Sequence, residues 1–175
     1  MDNAMRQISI EKATLNVGAG KDQKVLEKGI KLLKNITGID PVKTITMKRL
    51  QAWGLRPGLP VGAKITLRNQ PAEELILRIL DAKSGTLAPD CFDDNGNISF
   101  GIPEYVDIKG AKYDTEIGMM GLQASITLKR PGFRIKNRRL KNKKVPTKHK
   151  ISKEESIQFM KTKFGVKVGE EEWWK

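Results

Sequence analysis

At 175 residues, 38% of them hydrophobic, the chain is long enough for one core, as a single domain or one domain with an appendage. Its only cysteine, Cys91, excludes an intrachain disulfide, and aromatics at 6% argue against a fold built on aromatic stacking. The charge is +13, and neither MDNAMRQISIEK at the start nor any later stretch has the apolar run of a signal peptide or membrane span, so the sequence reads as soluble and intracellular.

Ala13, Leu15 and Val17 alternate, which predicts a strand ending at Gly18-Ala19-Gly20. Val25, Leu26, Ile30, Leu33 and Ile36 recur at helical spacing over 21–37, with Gly38 placed to cap the C-terminus. A strand is expected over Val42–Thr46, then a loop over Met47–Pro60 punctuated by Gly54, Pro57, Gly58 and Pro60. Val61–Arg68 is the cleanest strand pattern. Pro71 then opens a helix whose first turn holds Glu73 and Glu74, where the helix dipole favours acids. Asn95-Gly96 marks a hairpin turn between Phe92 and a short strand over 98–102. Leu122–Lys129 is a further alternating strand. Ser152-x-x-Glu155 is a capping box before a helix carrying Ile157, Met160 and Phe164, ended by Gly165. Mixed strands and helices with tight turns and no internal repeat give an α+β class. Glu170–Trp174 (EEEWW) reads as a mobile end.

Charge is unevenly distributed along these elements. Residues 117–153 contain twelve Lys or Arg and no Asp or Glu, densest in the run 134–150 (RIKNRRLKNKKVPTKHK). The remaining residues are close to neutral, but 41–72 is another acid-free basic block and 73–116 is net acidic. Like charges packed into one segment repel unless an anion lies across them, and a nucleic-acid backbone is the commonest anion with a matching line of charge. A solvated basic surface is the plain alternative.

Side chains alternate across a strand, so Val61, Ala63, Ile65 and Leu67 share one face while Gly62, Lys64, Thr66 and Arg68 share the other. Leu122–Lys129 divides the same way, with Gln123, Ser125, Thr127 and Lys129 opposite Leu122, Ala124, Ile126 and Leu128. The polar sets hold hydroxyls, an amide and cations but no acid, a donor set suited to phosphate and ribose hydroxyls. The 47–60 loop carries Lys48, Arg49, Gln51, Trp53 and Arg56. For Trp53 the alternatives are contact with a base or sugar and folding back onto the core.

Catalytic constellations are missing. His149 is the only histidine and lies inside the lysine-rich run, so it reads as an RNA contact rather than a general base or metal ligand, and no cofactor is expected. Gly18-Ala19-Gly20-Lys21-Asp22 has the place of a phosphate loop, between strand and helix, but Leu15 and Asp22 stand where that motif needs Gly and Ser/Thr. A nucleotide- or RNA-processing enzyme using Gly18–Lys21 is therefore the disfavoured alternative. Asp93–Asn97 has its Gly at the fourth place of a would-be calcium loop instead of the sixth, and reads as a turn. A membrane surface fits poorly, because Ile135, Leu140 and Val145 form no insertion face.

The segments Thr14–Gly20 (TLNVGAG), Pro60–Arg68 (PVGAKITLR) and Phe92–Gly101 (FDDNGNISFG) resemble, in order and spacing, the motifs of the large-subunit ribosomal protein L5 family. Lys129–Arg134 (KRPGFR) and Pro146–His149 (PTKH) are similar to its archaeal and eukaryotic branch. The resemblance spans roughly residues 5–168 and implies an antiparallel sheet with helices packed on one face. It makes residues 1–175 one RNA-binding domain, of which 130–175 is a branch-specific basic segment plus C-terminal helix. It implies a non-catalytic, ribosome-bound, cytoplasmic protein that binds 5S ribosomal RNA in the central protuberance and helps attach it to the large ribosomal RNA. Further implied partners are the peptidyl-site transfer RNA, a small-subunit head protein reached through an intersubunit bridge, and another 5S-RNA-binding ribosomal protein.

Carried over to this sequence, the resemblance places Asn16, Thr66 and Arg68 on 5S RNA and the transfer-RNA loop at about 46–56. With the residues read from charge and alternation, the candidate ribosomal-RNA set is Asn16, Lys64, Thr66, Arg68, Thr127, Lys129, Arg134, Lys136, Arg138, Arg139, Lys141, Lys143, Lys144, Lys148 and His149. The family often has Gln where this chain has Ile39, and no contact is assigned there.

Overall fold

The computed structural model describes residues 3–169, so the expectation for Glu170–Trp174 lies outside the described residues. In chain order the elements are β1 (Ser9–Gly18), α1 (Gln23–Thr37), β2 (Val42–Ile45), β3 (Pro60–Leu67) and α2 (Gln70–Ala82). There follow β4 (Thr86–Leu87), β5 (Asn97–Ile102), β6 (Leu122–Lys129), α3 (Lys153–Phe164) and β7 (Lys167–Val168). Five strands form one sheet in the order β2-β3-β1-β6-β5, every neighbouring pair antiparallel. β4 and β7 form a separate parallel pair that ties the end of α3 to the end of α2.

The sheet is apolar on one face only. Ala13, Leu15 and Val17 of β1, Ala63, Ile65 and Leu67 of β3, Ile126 of β6 and Ile98 of β5 are buried there. Onto them pack Leu26, Leu32, Leu33 and Ile36 of α1 and Leu75, Ile76 and Ile79 of α2, residues spaced to form one stripe along each helix. α3 adds Met160 to the same core. Burying a side chain as completely as Leu15 contributes about 1.5–3 kcal/mol, so this one-sided core drives assembly and leaves the opposite face free.

β1 reaches further toward the N-terminus than alternation predicts, and a bulge explains why. Ile10 pairs with Leu128 and Lys12 with Thr127, so the register slips at Glu11. Ile10 and Ala13 are an odd number of residues apart and would face opposite sides of a regular strand. The slip lets both be buried.

Gly38, the Ser152 capping box and Gly165 end their helices as the sequence expects, and Asp22 adds a cap that it did not announce. Asp22 caps α1 by accepting from the Lys24 N–H at 2.9 Å, and Gly38 closes it in the left-handed region. The capping box of α3 is complete. Ser152 accepts the Glu155 N–H, the Glu155 carboxylate accepts the Ser152 N–H, and Gly165 ends the helix.

Candidate nucleic-acid interface

The uncovered face of the sheet follows from strand order. β1 lies between β3 and β6, so the two acid-free strands frame a third whose outward residues are also polar. Pairing sets these residues in rows. Thr66 lies beside Thr14, Thr14 beside Ser125, and Ser125 beside Ser99. Lys64 lies beside Asn16, and Asn16 beside Gln123. Lys12, Thr127 and Asn97 make a third row.

The hydroxyl row and the amide row are each internally tied. Ser99 Oγ donates to Ser125 Oγ at 3.1 Å, and Asn16 Nδ2 donates to Gln123 Oε1 at 3.2 Å. These bonds orient the side chains while leaving further donor and acceptor positions open. Arg68 is exposed just beyond the end of β3. In β1, β3, β5 and β6 the only carboxylate is Glu11 at the bulge. It is countered by Lys136 Nζ at 3.4 Å and by Asn137 Nδ2, which donates to Glu11 Oε1 at 3.3 Å. The face therefore presents cations and neutral donors with no free anion.

Gly62 holds the edge of this face close together. A Cβ there would lie 2.6 Å from the Val17 carbonyl oxygen and 3.0 Å from Thr44 Oγ1, so only glycine lets β2, β3 and β1 approach as they do.

The loop after β2 is a small hairpin. Leu50 and Leu55 exchange backbone hydrogen bonds of 3.1 and 3.0 Å, and a short turn over Gln51–Trp53 ends at Gly54 in the left-handed region. Leu55 is buried, while Lys48, Arg49, Gln51 and Arg56 are exposed. Trp53 is 69% exposed, so it does not fold back onto the core.

The basic segment is folded back on itself. Arg130, the first cation after β6, is 5% exposed. Its guanidinium donates to the carbonyls of His149 at 3.4 Å and Lys150 at 3.0 Å and pairs with Glu155 at 2.7 Å. Phe133 is buried, and His149 meets its ring edge-on with centroids 5.7 Å apart while a His149 ring nitrogen lies 2.9 Å from the Pro131 carbonyl oxygen. Lys136 sits over the Phe133 ring at 5.0 Å. Further out, the Lys143 N–H donates to the Ile135 carbonyl and Asn142 Nδ2 to the Lys136 carbonyl. The outer cations Arg134, Arg138, Arg139, Lys141, Lys143, Lys144 and Lys148 are exposed.

The Gly18–Lys21 junction is not arranged as a phosphate cradle. The N–H groups of Ala19 and Gly20 both donate to the Val61 carbonyl, at 2.9 and 3.1 Å, and the Asp22 carboxylate occupies the start of α1. The Asp93–Asn97 segment is a turn, in which the Asp93 carboxylate accepts from Asn95, Asn97 and the Asp94 N–H. The Asn97 and Asn95 bonds hold its pKa below the ordinary carboxylate value. Among the described residues no group of His, Cys, Asp and Glu could hold a metal ion, and no helix is long and apolar enough to cross a membrane.

The structure gathers Asn16, Lys64, Thr66, Thr127 and Lys129 on one sheet face, with Arg68 at its margin. Lys136 joins them through Glu11, and His149 is turned onto Phe133. The exposed residues of the 47–60 loop stand apart at the β2–β3 end. Sequence reasoning left Lys12, Thr14, Asn97 and Ser99 out of the site. Their alternation with buried neighbours was visible, but only strand order places them beside Thr66 and Thr127.

An α+β protein with a one-sided sheet, whose open face and adjoining loop present cations and neutral donors, is the class that this geometry defines. The model of "Ribosomal protein L5" matches residues 3–56, and the model of the C-terminal region of the same ribosomal family matches residues 60–159. The "Large ribosomal subunit protein uL5" of Nanoarchaeum equitans is 44% identical over 169 residues, covering 96% of this chain and 99% of that one. Proteins of the same description from Sulfurisphaera tokodaii and Sulfolobus acidocaldarius are 43% and 42% identical, covering 96% and 95% of this chain and 96% and 94% of their own. The chain belongs to the ribosomal protein L5 family and is a structural, RNA-binding protein of the large ribosomal subunit, not an enzyme.

Proposed function

We propose that the open sheet face binds 5S ribosomal RNA in the central protuberance and helps attach it to the large ribosomal RNA. In this reading Asn16, Thr66 and Arg68 make the selective contacts. The observation that carries it is the cross-strand pairing of Asn16 with Lys64 and of Thr14 with Thr66, which sets the motif residues of two distant segments side by side on an acid-free surface. Arg68 can offer two donors in one plane to phosphate or base-edge acceptors, and the hydroxyl row suits ribose hydroxyls.

The exposed cations of 134–148 add a largely sequence-independent clamp, and residues 130–175 are the extension of the archaeal and eukaryotic branch. The hairpin carrying Lys48, Arg49, Gln51, Trp53 and Arg56 reaches the peptidyl-site transfer RNA. The same protein bridges to a small-subunit head protein and neighbours another 5S-RNA-binding ribosomal protein. Electrophoretic mobility shift tests the core of this reading. Purified protein is expected to shift 5S ribosomal RNA, and an equal mass of transfer RNA is expected not to displace it. Displacement by transfer RNA would refute selective binding.

A further inference from the structure

Between the basic loop and the β5 turn lies a cavity of about 400 Å³, within the range of small-ligand sites. Phe133, Val145 and Ile151 are its apolar lining residues; Ile151 is fully buried behind the wall, so Val145 and the exposed edge of Phe133 are what an occupant meets. Lys136, Lys144 and Lys150 line it as well. Asn95 and the exposed Thr147 add neutral hydrogen-bonding groups.

The site is held rigidly. A Cβ on Gly96 would lie 2.8 Å from Ile151 side-chain atoms, so the β5 turn is pressed against the cavity wall. Lys150 Nζ donates to Asn95 Oδ1 at 3.3 Å, which ties the returning loop to that turn. Lys136 covers the Phe133 ring, a position that a flat ring can take from it.

We infer that this cavity receives one extruded nucleotide of the bound RNA. The base enters beside Val145 and the exposed edge of Phe133, its polar edge faces Asn95 and Thr147, and the flanking phosphates meet Lys136, Lys144 and Lys150. Charge complementarity decides the occupant. An apolar wall alone would suit many ligands, but three lysines with no carboxylate in the lining, Lys136 being paired with Glu11 outside it, favour one that is both flat and anionic. The inference rests on the RNA-binding reading and adds a specific contact within the clamp.

Val145→Trp fills the cavity without changing charge, and Asn95→Ala removes a group at an exposed turn. With full-length protein and 5S ribosomal RNA, Val145→Trp is expected to weaken binding about five- to tenfold, the low end for a base–aromatic stack because Phe133 is only 8% exposed. The salt slope stays unchanged, since every cation that meets a phosphate is retained. Probing the complex with dimethyl sulfate and a carbodiimide is expected to show one unpaired base protected by the wild type and re-exposed by both variants. Should Val145→Trp fail to fold, as read by circular dichroism, the Asn95→Ala footprint decides.

Wild-type selectivity for 5S RNA together with unchanged affinity and footprint in the variants would overturn the pocket and leave the sheet-face reading standing. Absence of selectivity in the wild type would instead remove that reading. Adenosine or uridine monophosphate at millimolar concentration is expected to leave the footprint unaltered. A cavity filled by free nucleotide in the presence of RNA would also overturn the assignment.

Discussion

Arg130 Nη2 lies 2.7 Å from Glu155 Oε1, and this single pair joins the end of β6 to the start of α3. The same guanidinium holds the carbonyls of His149 and Lys150, and the other oxygen of Glu155 accepts the Ser152 N–H at 3.0 Å. The two ends of the basic loop are thus pinned by one buried cation.

Removing the partner should therefore be costly. Glu155→Ala is expected to lower stability by about 2–3 kcal/mol. That is less than the roughly 3–5 kcal/mol for breaking a fully buried pair, because Glu155 remains 39% exposed. Urea denaturation followed by circular dichroism measures it. Arg130→Met keeps much of the side-chain volume and removes the buried charge, and is expected to be milder.

The same pair gives a pH dependence. Burial acts to raise the Glu155 pKa, but the Ser152 N–H and the Arg130 guanidinium outweigh it, and the net direction is downward. A carboxylate with a lowered folded pKa contributes stability that is fully present above its unfolded value, about 4.3, and lost as pH falls through the folded value. Wild-type stability is expected to fall in that acidic window more steeply than that of Glu155→Gln.

Gly62→Ala is expected to destabilise by more than about 1 kcal/mol, because its Cβ would meet the Val17 carbonyl oxygen at 2.6 Å and strand backbone must move. The change also spreads β3 from β1, so RNA affinity is expected to drop with stability. Thermal melting and mobility shift on the same sample test both.

Trp53→Ala behaves in the opposite way. An exposed side chain at a hairpin tip contributes little to folding, so stability is expected to stay within about 0.5 kcal/mol. Affinity for transfer RNA in the assembled subunit is expected to fall, as read by filter binding.

How much of this was legible in the sequence differs between fold and site. Strand faces were, because Val61–Arg68 and Leu122–Lys129 alternate strictly, and so were three helix ends, because Gly38, Ser152 and Gly165 carry their own local geometry, whereas the Asp22 cap was not read. The β1 bulge was hidden, since Glu11 and Lys12 break the alternation that would announce the strand. So was the β4–β7 pair, two residues long and joined across the chain. Composition marked the cations of the 117–153 block only as an acid-free basic run, and packing divides them. Arg130 is an internal strut, Lys136 is shared between Phe133 and Glu11, and Arg138, Arg139 and Lys141 face outward.

That division bears on salt dependence. Neutralising Lys141, Lys143 and Lys144 to Gln is expected to flatten the dependence of log affinity on log salt by roughly one unit for each phosphate no longer neutralised. The change is expected to be similar for 5S RNA and for transfer RNA, and titrations between low and moderate salt read both slopes.

Assignment of recognition to the sheet is decided by the ratio of affinities for 5S ribosomal RNA and transfer RNA in two variants of the full-length chain. One carries Thr66→Ala with Arg68→Ala on the sheet face, and the other carries the three lysine changes in the loop. The face variant is expected to bring the ratio close to one, while the loop variant weakens both affinities and keeps the ratio. A face variant that retains full selectivity, or a loop variant that alone abolishes it, would contradict that assignment.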